Sequence, residues 1–396
     1  MWSPAGLERN VVAISAATFL LALGENLWKR FVPKYLEALG APVAAIGLYG
    51  STQDLLDGVY QYPGGWVGDH YGRRRALLLF VALAAVGYGL YWWASTWPLV
   101  FVGLAFVMAW SSMASPTLFA VIGDALPPER RALGFTVQSI LRRIPIAVAP
   151  TVGGLAIAAY GLVDGVRLAL ALTVALAALT LFAVWRVDIP LTRDDAPTNI
   201  VAVWQSLPVP LRWLLASDIF VRTCEGLVDV FVVLYAINVI GISAPAFGAL
   251  IGVQAATSIA SYLALARFAD QLGRKPFVIA TFVAFSAFPV AVALAQGFAT
   301  LLVAFVIGGL REVGEPARKA MIVDLVRPAV RARAVGLYYL IRSVTIAPAA
   351  FIGGVLWHVS PALPFWIASA IGLVGVVVFA AAVDERSGPV AVVRPS

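Results

Sequence analysis

The stretch Gly65-Trp-Val-Gly-Asp69-His-Tyr-Gly72-Arg73-Arg74-Arg75 is a short polar island between two long apolar runs. A second copy, Ala269-Asp270-Gln-Leu-Gly273-Arg274-Lys275, stands 201 positions further on in the same setting. Each copy has a glycine where a tight turn needs one and an acid at a helix end, where it can form a charge-assisted bond that breaks on movement. Working outward, a shift of 200 superposes Glu25, Phe31, Tyr35 and Pro116 on Glu225, Phe231, Tyr235 and Pro316. The same shift carries Asp124, Pro128, Arg131, Arg142, Gly153 and Gly154 onto Asp324, Pro328, Arg331, Arg342, Gly353 and Gly354. An apolar chain matching itself by chance would align leucines and alanines, not charges and prolines. The two halves are duplicates.

The 396 residues are 61% apolar and only 12% charged, against about 45–50% and about 25% in soluble domains. Such a chain cannot cover its surface with polar groups, so apolar side chains must face lipid. The net charge of +7 is carried by arginines scattered singly or in threes, not by a nucleic-acid-binding stripe. A single cysteine, Cys224, excludes a disulfide framework, and His70 and His358 are too far apart for a zinc motif. No lysine follows a glycine, so there is no phosphate-cradling ATP loop, and no Gly-x-Ser-x-Gly nucleophile turn occurs. The first apolar run lacks a signal-peptide cleavage site and is read as mature structure from Val11 onward.

Breaks at glycine, proline and charge clusters predict twelve apolar segments: 10–36, 43–67, 76–95, 98–123, 132–158, 166–185, 213–239, 246–267, 276–295, 300–324, 333–357 and 363–382. The expected organisation is an N-terminal six-helix bundle (1–186), a polar linker (187–212) and a C-terminal six-helix bundle (213–396). If the segments alternate across a membrane, seventeen basic residues fall on the side of the N-terminus and only Lys34 and Arg167 on the other, which places both termini in the cytoplasm. Six segments separate equivalent residues, so both copies enter the membrane from the same face, as in two-half transporters whose site lies between the halves.

The island and its copy resemble the signature loop of the major facilitator superfamily, in which Gly, Asp, Gly and Arg recur before a third helix. His70 and Gln271 stand where that family usually has a basic residue. The resemblance implies an all-α membrane protein of twelve transmembrane helices in two pseudo-symmetric bundles, with segments 3, 6, 9 and 12 toward lipid and the others lining a cavity. It also implies a cytoplasmic gate built from Asp69, Gly72, Arg73, Asp270, Gly273 and Arg274; without it, the loops read as ordinary positively charged turns. Ala149-Pro150-Thr-Val-Gly153-Gly154 resembles the antiporter element of the family's exporters, and Gly-Leu-Arg311-Glu-Val-Gly314 resembles an element its proton-coupled members carry in segment four.

Every intramembrane charge falls in the segments assigned to the cavity. Asp218, Arg222, Glu225 and Asp229 lie at i, i+4, i+7 and i+11, one face of the seventh segment; Arg311, Glu315 and Arg318 share a face of the tenth. Ionisable groups at bilayer depth are costly and so mark either function or interhelical ion pairs, the second being the reading for Arg30, Arg143, Arg318 and Lys319. With no ATP motif, transport uphill would draw on an ion gradient. The proton-carrying candidates are Glu25, Asp54, Asp57, Glu225 and Asp229, with Asp54 and Asp57 expected to titrate as a coupled pair; the same groups could hold Na⁺. Candidate solute-binding residues are Arg142, Arg222, Arg311, Glu315 and Arg342 for charge, with Trp28 and Tyr338 for stacking.

These expectations describe a secondary transporter of a small polar or charged organic solute in the cell membrane, by proton-coupled efflux. The alternatives are uptake symport of an organic anion or sugar-like solute, and a sensor that does not transport. The expected partners are the solute, H⁺ or Na⁺ and the bilayer. The expectation is a monomer without nucleic acid, cofactor, metal or enzymatic activity.

Overall fold

The computed structural model describes residues 4–114, 117–118, 128–186, 207–265, 273–326 and 331–383, and no strand occurs among them. The first half forms α1 (Pro4–Trp28), a 3-10 turn (Lys29–Phe31), α2 (Val32–Ala38), α3 (Val43–Tyr71), α4 (Arg73–Trp93), α5 (Trp97–Met108), α6 (Pro128–Tyr160) and α7 (Leu162–Trp185). The second forms α8 (Val209–Leu234), α9 (Ala244–Leu265), α10 (Lys275–Ala293), α11 (Phe298–Leu310), α12 (Glu315–Asp324), α13 (Arg331–Ile346), α14 (Ala349–Val359) and α15 (Leu363–Ala382). Each of the twelve expected segments is mostly helical where it is described, with turns inside the tenth at residues 311–314 and the eleventh at residues 347–348.

Among the described residues, seven stretches are long and apolar enough to cross a membrane: Arg73–Trp93, Arg143–Tyr160, Leu162–Trp185, Ala244–Ser261, Lys275–Ala293, Ala334–Val359 and Leu363–Ala382. The protein is a multi-pass, all-helical membrane protein. Its outer faces are apolar in the way lipid requires: Leu79 and Val86 on α4, Leu168, Leu172, Leu179 and Phe182 on α7, and Leu373 and Val377 on α15 are all exposed. Several helices are interrupted. Lys29–Phe31 breaks the first segment, residues 311–314 break the tenth, and π turns at Ala109–Met113 and Tyr235–Val239 extend α5 and α8.

By packing, the chain divides into one unit of Met1–Pro42, Leu55–Asp195 and Ile242–Gly252, and another of Val43–Asp54, Ala196–Gly241 and Val253–Ser396. This differs from a division at the linker alone, because the start of α3 is counted with the second unit and the start of α9 with the first. The reason is close backbone approach: a Cβ on Gly47 would come 2.5 Å from the Ala350 carbonyl oxygen, and one on Gly248 would come 2.3 Å from that of Pro150. The packing pattern repeats. In the first unit α1 packs on α6 and α7, and α4 on α5 and α7; in the second α8 packs on α14 and α15, and α10 on α11 and α15. The Tyr35 hydroxyl donates to the Tyr91 carbonyl at 2.9 Å, and its repeat Tyr235 donates to that of Ala293 at 3.1 Å.

The tightest repeated contact uses glycine as a notch. A Cβ on Gly153 would lie 1.8 Å from the Leu27 carbonyl oxygen, and one on Gly353 would lie 2.2 Å from that of Leu227. Any side chain would force the helices apart in both units. Gly153→Ala and Gly353→Ala are each expected to lower the unfolding midpoint in detergent by more than about 3 °C. Gly89→Ala, where a Cβ meets nothing within 4 Å, is expected to leave it unchanged or slightly raised; nanoscale fluorimetry on the purified variants checks this.

Candidate functional site

The stripe on α8 is realised and builds a charged cluster inside the second unit. Asp218 is fully buried, and its Oδ2 accepts from Arg318 Nη1 at 2.6 Å, the Tyr338 hydroxyl at 3.0 Å and Arg342 Nη1 at 3.4 Å. Arg318, on α12, also grips Glu315 with two bonds, Nη2 at 2.6 Å and Nε at 3.0 Å. Arg222 joins this pair to the next acid on its own helix, donating to Glu225 at 2.9 Å and to Glu315 at 3.2 Å. Arg311 Nη1 reaches Glu225 at 3.4 Å while its Nε donates to the Gly308 carbonyl at 3.0 Å. The rings of Phe285 and Phe288 lie against these guanidiniums, Arg222 over Phe285 at 4.8 Å and Arg311 over Phe288 at 4.5 Å.

The broken tenth segment makes this possible. α11 ends at Leu310, and the chain turns through residues 311–314 before α12 begins at Glu315. The Gly314 N–H donates to Thr281 Oγ1 at 2.6 Å, so the turn is tied to α10. A Cβ on Gly314 would fall 2.2 Å from the Phe277 carbonyl oxygen. Arg311 and Glu315 are therefore not one turn apart on a continuous helix, as their spacing suggests, but sit on either side of a break. Irregular backbone at this depth is tolerated where protein surrounds it.

Beside the cluster lies a small cleft of about 90 Å³, lined by Gly50, Gln53, Asp54, Arg222, Glu225, Gly226, Asp229, Val230, Ile346 and Ala350. At about 30 Å³ per water it has room for a few waters or one small functional group. Four charged residues meet there: Asp54 from α3 and Arg222, Glu225 and Asp229 from α8.

The first unit holds the remaining candidates with different partners. Glu25 is buried and accepts from the Tyr88 hydroxyl at 2.7 Å. Asp57 accepts from Ser112 Oγ at 2.6 Å, a serine presented by the π turn at Ala109–Met113. Asp54, expected to act with Asp57 as a pair, lines the cleft described above. Trp28, expected to stack on solute, is 1% exposed; its indole N–H donates to Thr173 at 3.1 Å and its ring meets Tyr88 and Tyr91 edge-on. Tyr338 is likewise fully buried, engaged with Asp218. Among the described residues no group of three or more His, Cys, Asp or Glu is placed to hold a metal ion.

The Major Facilitator Superfamily profile matches residues 14–221 and again 214–395, so each repeat carries it and nearly the whole chain is covered. The chain belongs to the major facilitator superfamily. An uncharacterized MFS-type transporter of Methanocaldococcus jannaschii is 21% identical over 379 residues, covering 93% of each chain. Among solved structures, a point mutant of the nucleoside transporter NupG superposes with a TM-score of 0.78 at 14% identity, covering 94% of this chain and 100% of that one. A POT family transporter in complex with 5-aminolevulinic acid gives 0.76 at 13% identity, covering 94% and 95%. At these identities the structures establish the fold of a facilitator.

Within this facilitator, both signature loops turn at glycines with left-handed backbone, φ 90° at Gly72 and 79° at Gly273, as a residue without Cβ permits. Arg73 is buried. Asp270 lies outside the described residues, as do the side chains of Asp69 and Arg142. Two features were hidden from the sequence: the break at residues 311–314 and the serine on the π turn. Glycine in the first and Ser111-Ser112 in the second were the available signals.

The buried pair yields a prediction. Removing one partner of a buried ion pair strands the other charge, at a cost of about 3–5 kcal/mol. Arg318→Met and Asp218→Asn are each expected to lower yield and thermal stability sharply. The double variant Asp218→Asn/Arg318→Met should recover part of the loss, measured by the detergent unfolding midpoint.

Proposed function

We propose that this facilitator is a proton-coupled secondary transporter of a small charged organic solute, with efflux by antiport as its direction. The observation that carries the reading is the cleft where Asp54, Glu225, Asp229 and Arg222 meet. Three of the four charged side chains lining it are carboxylates, and the fourth, Arg222, already serves Glu225 and Glu315. A proton and a solute carrying positive charge would compete for those acids, and competition for one site is what exchange requires. The halves 1–186 and 213–396, joined by 187–212, would rock about the bilayer midplane with both termini in the cytoplasm of the cell-membrane-embedded chain. The family relationship supports transport, and the structural neighbours are named for nucleosides and for a complex with 5-aminolevulinic acid, both small organic solutes.

One observation favours uptake symport of an organic anion instead. Arg342 Nε is buried without a hydrogen-bond partner, and its Nη1 reaches Asp218 only at 3.4 Å. That guanidinium has donors to offer a carboxylate.

Proton flux in liposomes holding the purified protein decides between these. A panel of organic cations, zwitterions, anions and sugars is added across a pH gradient, with Na⁺ varied separately. Solute added on one side should drive proton movement in the opposite direction. The flux is expected to fall at least tenfold in Asp54→Asn and in Glu225→Gln and to persist in Gly89→Ala, which lies outside the cleft and where a Cβ meets nothing within 4 Å. Co-directional movement with anions would favour the symport reading. No response to any solute, with Na⁺ also ineffective, would sink both and leave a sensor.

A further inference from the structure

One pairing in the cluster is left unmade. Asp218 Oδ2 collects three donors, yet its Oδ1 is buried and takes no hydrogen bond. Facing it at 3.8 Å is Arg222 Nε, also buried and also without a hydrogen-bond partner. The distance is beyond hydrogen-bond range, longer than the 3.4 Å of the longest bond in the cluster. Arg222 is held short of Asp218 because its two Nη groups go to Glu225 at 2.9 Å and Glu315 at 3.2 Å. A guanidinium is a rigid fork, so its donors cannot be placed independently.

The acids that compete for Arg222 differ in access. The Glu225 side chain is 29% exposed and lines the cleft, whereas those of Glu315 and Asp218 are 10% and 1% exposed. Asp218 is fixed on its other oxygen by Arg318 and Tyr338 and cannot itself move toward Arg222. Arg222 can move, since it rests on the face of Phe285 at 4.8 Å, a surface that lets it slide while keeping a cation–π contact.

We propose that Arg222 is a two-position arginine that couples the cleft to the buried cluster. This rests on the proton-coupled reading above and names its device. With Glu225 ionised, Arg222 stays on Glu225 and Glu315. When a proton or a cationic group of the solute neutralises Glu225, Arg222 closes on Asp218 Oδ1, and the two unmade groups satisfy each other. Occupation of the cleft thereby moves Arg222 onto Asp218, the carboxylate that also holds Arg318 of α12 and Tyr338 and Arg342 of α13. The other charged or titratable groups around this switch are Cys224 and Asp229 on α8, Arg311 and Glu312 in the turn, Arg318 and Lys319 on α12, Tyr338 and Arg342 on α13, and Asp54 on α3. Each keeps its place in both positions. Arg222 is thus a positioning residue, acting on the cleft through Glu225.

Glu225→Gln imitates the neutral acid and tests the device without any solute. Cryo-electron microscopy of the full chain in nanodiscs, bound to a rigid fiducial, is expected to show Arg222 Nε within about 3.2 Å of Asp218 Oδ1 in this variant and near the present 3.8 Å in the wild type at neutral pH. Arginine-labelled NMR gives a second readout: a hydrogen-bonded Nε–H resonance absent from Arg222→Lys should appear in the wild type as pH falls and be present at every pH in Glu225→Gln. Arg222 remaining on residues 225 and 315 in the variant, or moving anywhere other than Asp218, overturns the proposal. So does a pH-independent resonance in the wild type. Because neither readout uses transport, a protein that moved no protons in liposomes would refute the functional reading while leaving the switch to be judged on its own.

Discussion

A guanidinium buried as deeply as that of Arg318, 1% exposed, in a membrane protein can stay charged only if carboxylates replace the water it has lost. Asp218 and Glu315 do so at 2.6 Å each, and much of the second unit follows from that requirement. Asp218 is on α8 and Glu315 opens α12, so the two helices must meet at this depth. Tyr338 and Arg342 bring α13 to the same carboxylate. Arg318 meets Asp218 and Arg311 meets Glu225, and the tenth segment turns between them. The chain supplies that turn at residues 311–314 and anchors it through Gly314 to Thr281.

The first unit repeats the packing without the chemistry. Two hundred positions before Asp218, Arg222 and Arg318 stand Thr18, Ala22 and Leu118, none of them charged, and of the cluster's charges only Glu225 and Arg342 keep counterparts, in Glu25 and Arg142. Among the described residues Glu25 meets a tyrosine hydroxyl. The duplicated scaffold is held by backbone notches such as Gly153 on Leu27 and Gly353 on Leu227. Those notches constrain helix approach and leave side chains elsewhere free to diverge. The same observation gives the paired glycines, Gly153-Gly154 and Gly353-Gly354, a packing role in both repeats, although the proline spacing differs between Pro150-Thr-Val-Gly153 and Pro348-Ala-Ala-Phe-Ile-Gly353. The proposal of exchange draws on the acids of the cleft.

The fold was legible because its signals are local. Turn glycines at 72 and 273, charges that repeat at a fixed shift and apolar runs of membrane length survive without knowledge of partners. The stripe at Asp218, Arg222, Glu225 and Asp229 was legible for the same reason, since one uninterrupted helix carries it. The rest of the site was not, because it depends on where other helices arrive. Asp54 and Asp57 are three residues apart, yet one lines the cleft and the other is claimed by Ser112. Trp28 looks available for solute until Thr173 takes its N–H. Gly314 is ordinary among membrane-helix glycines until the Phe277 carbonyl is seen to occupy the place of its Cβ.

The proposed switch draws on a graded exposure across the charged network, from Asp218 at 1% to Glu225 at 29%. If every acid in the cluster were as sealed as Asp218, no proton could reach it; if all were as open as Glu225, water would screen their pairings and little energy would be exchanged between them. Here the exposed and sealed acids are joined through one arginine, and among the described residues that arginine is also the only base lining the cleft. Neutralising a carboxylate at the wet end changes the charge balance at the dry end, where each interaction is stronger because the surroundings are apolar. The consequence is directional: the dry end holds α12 and α13, and a change in what holds them can be carried to the rest of the unit by packing as tight as that around Phe277, Phe282 and Met321.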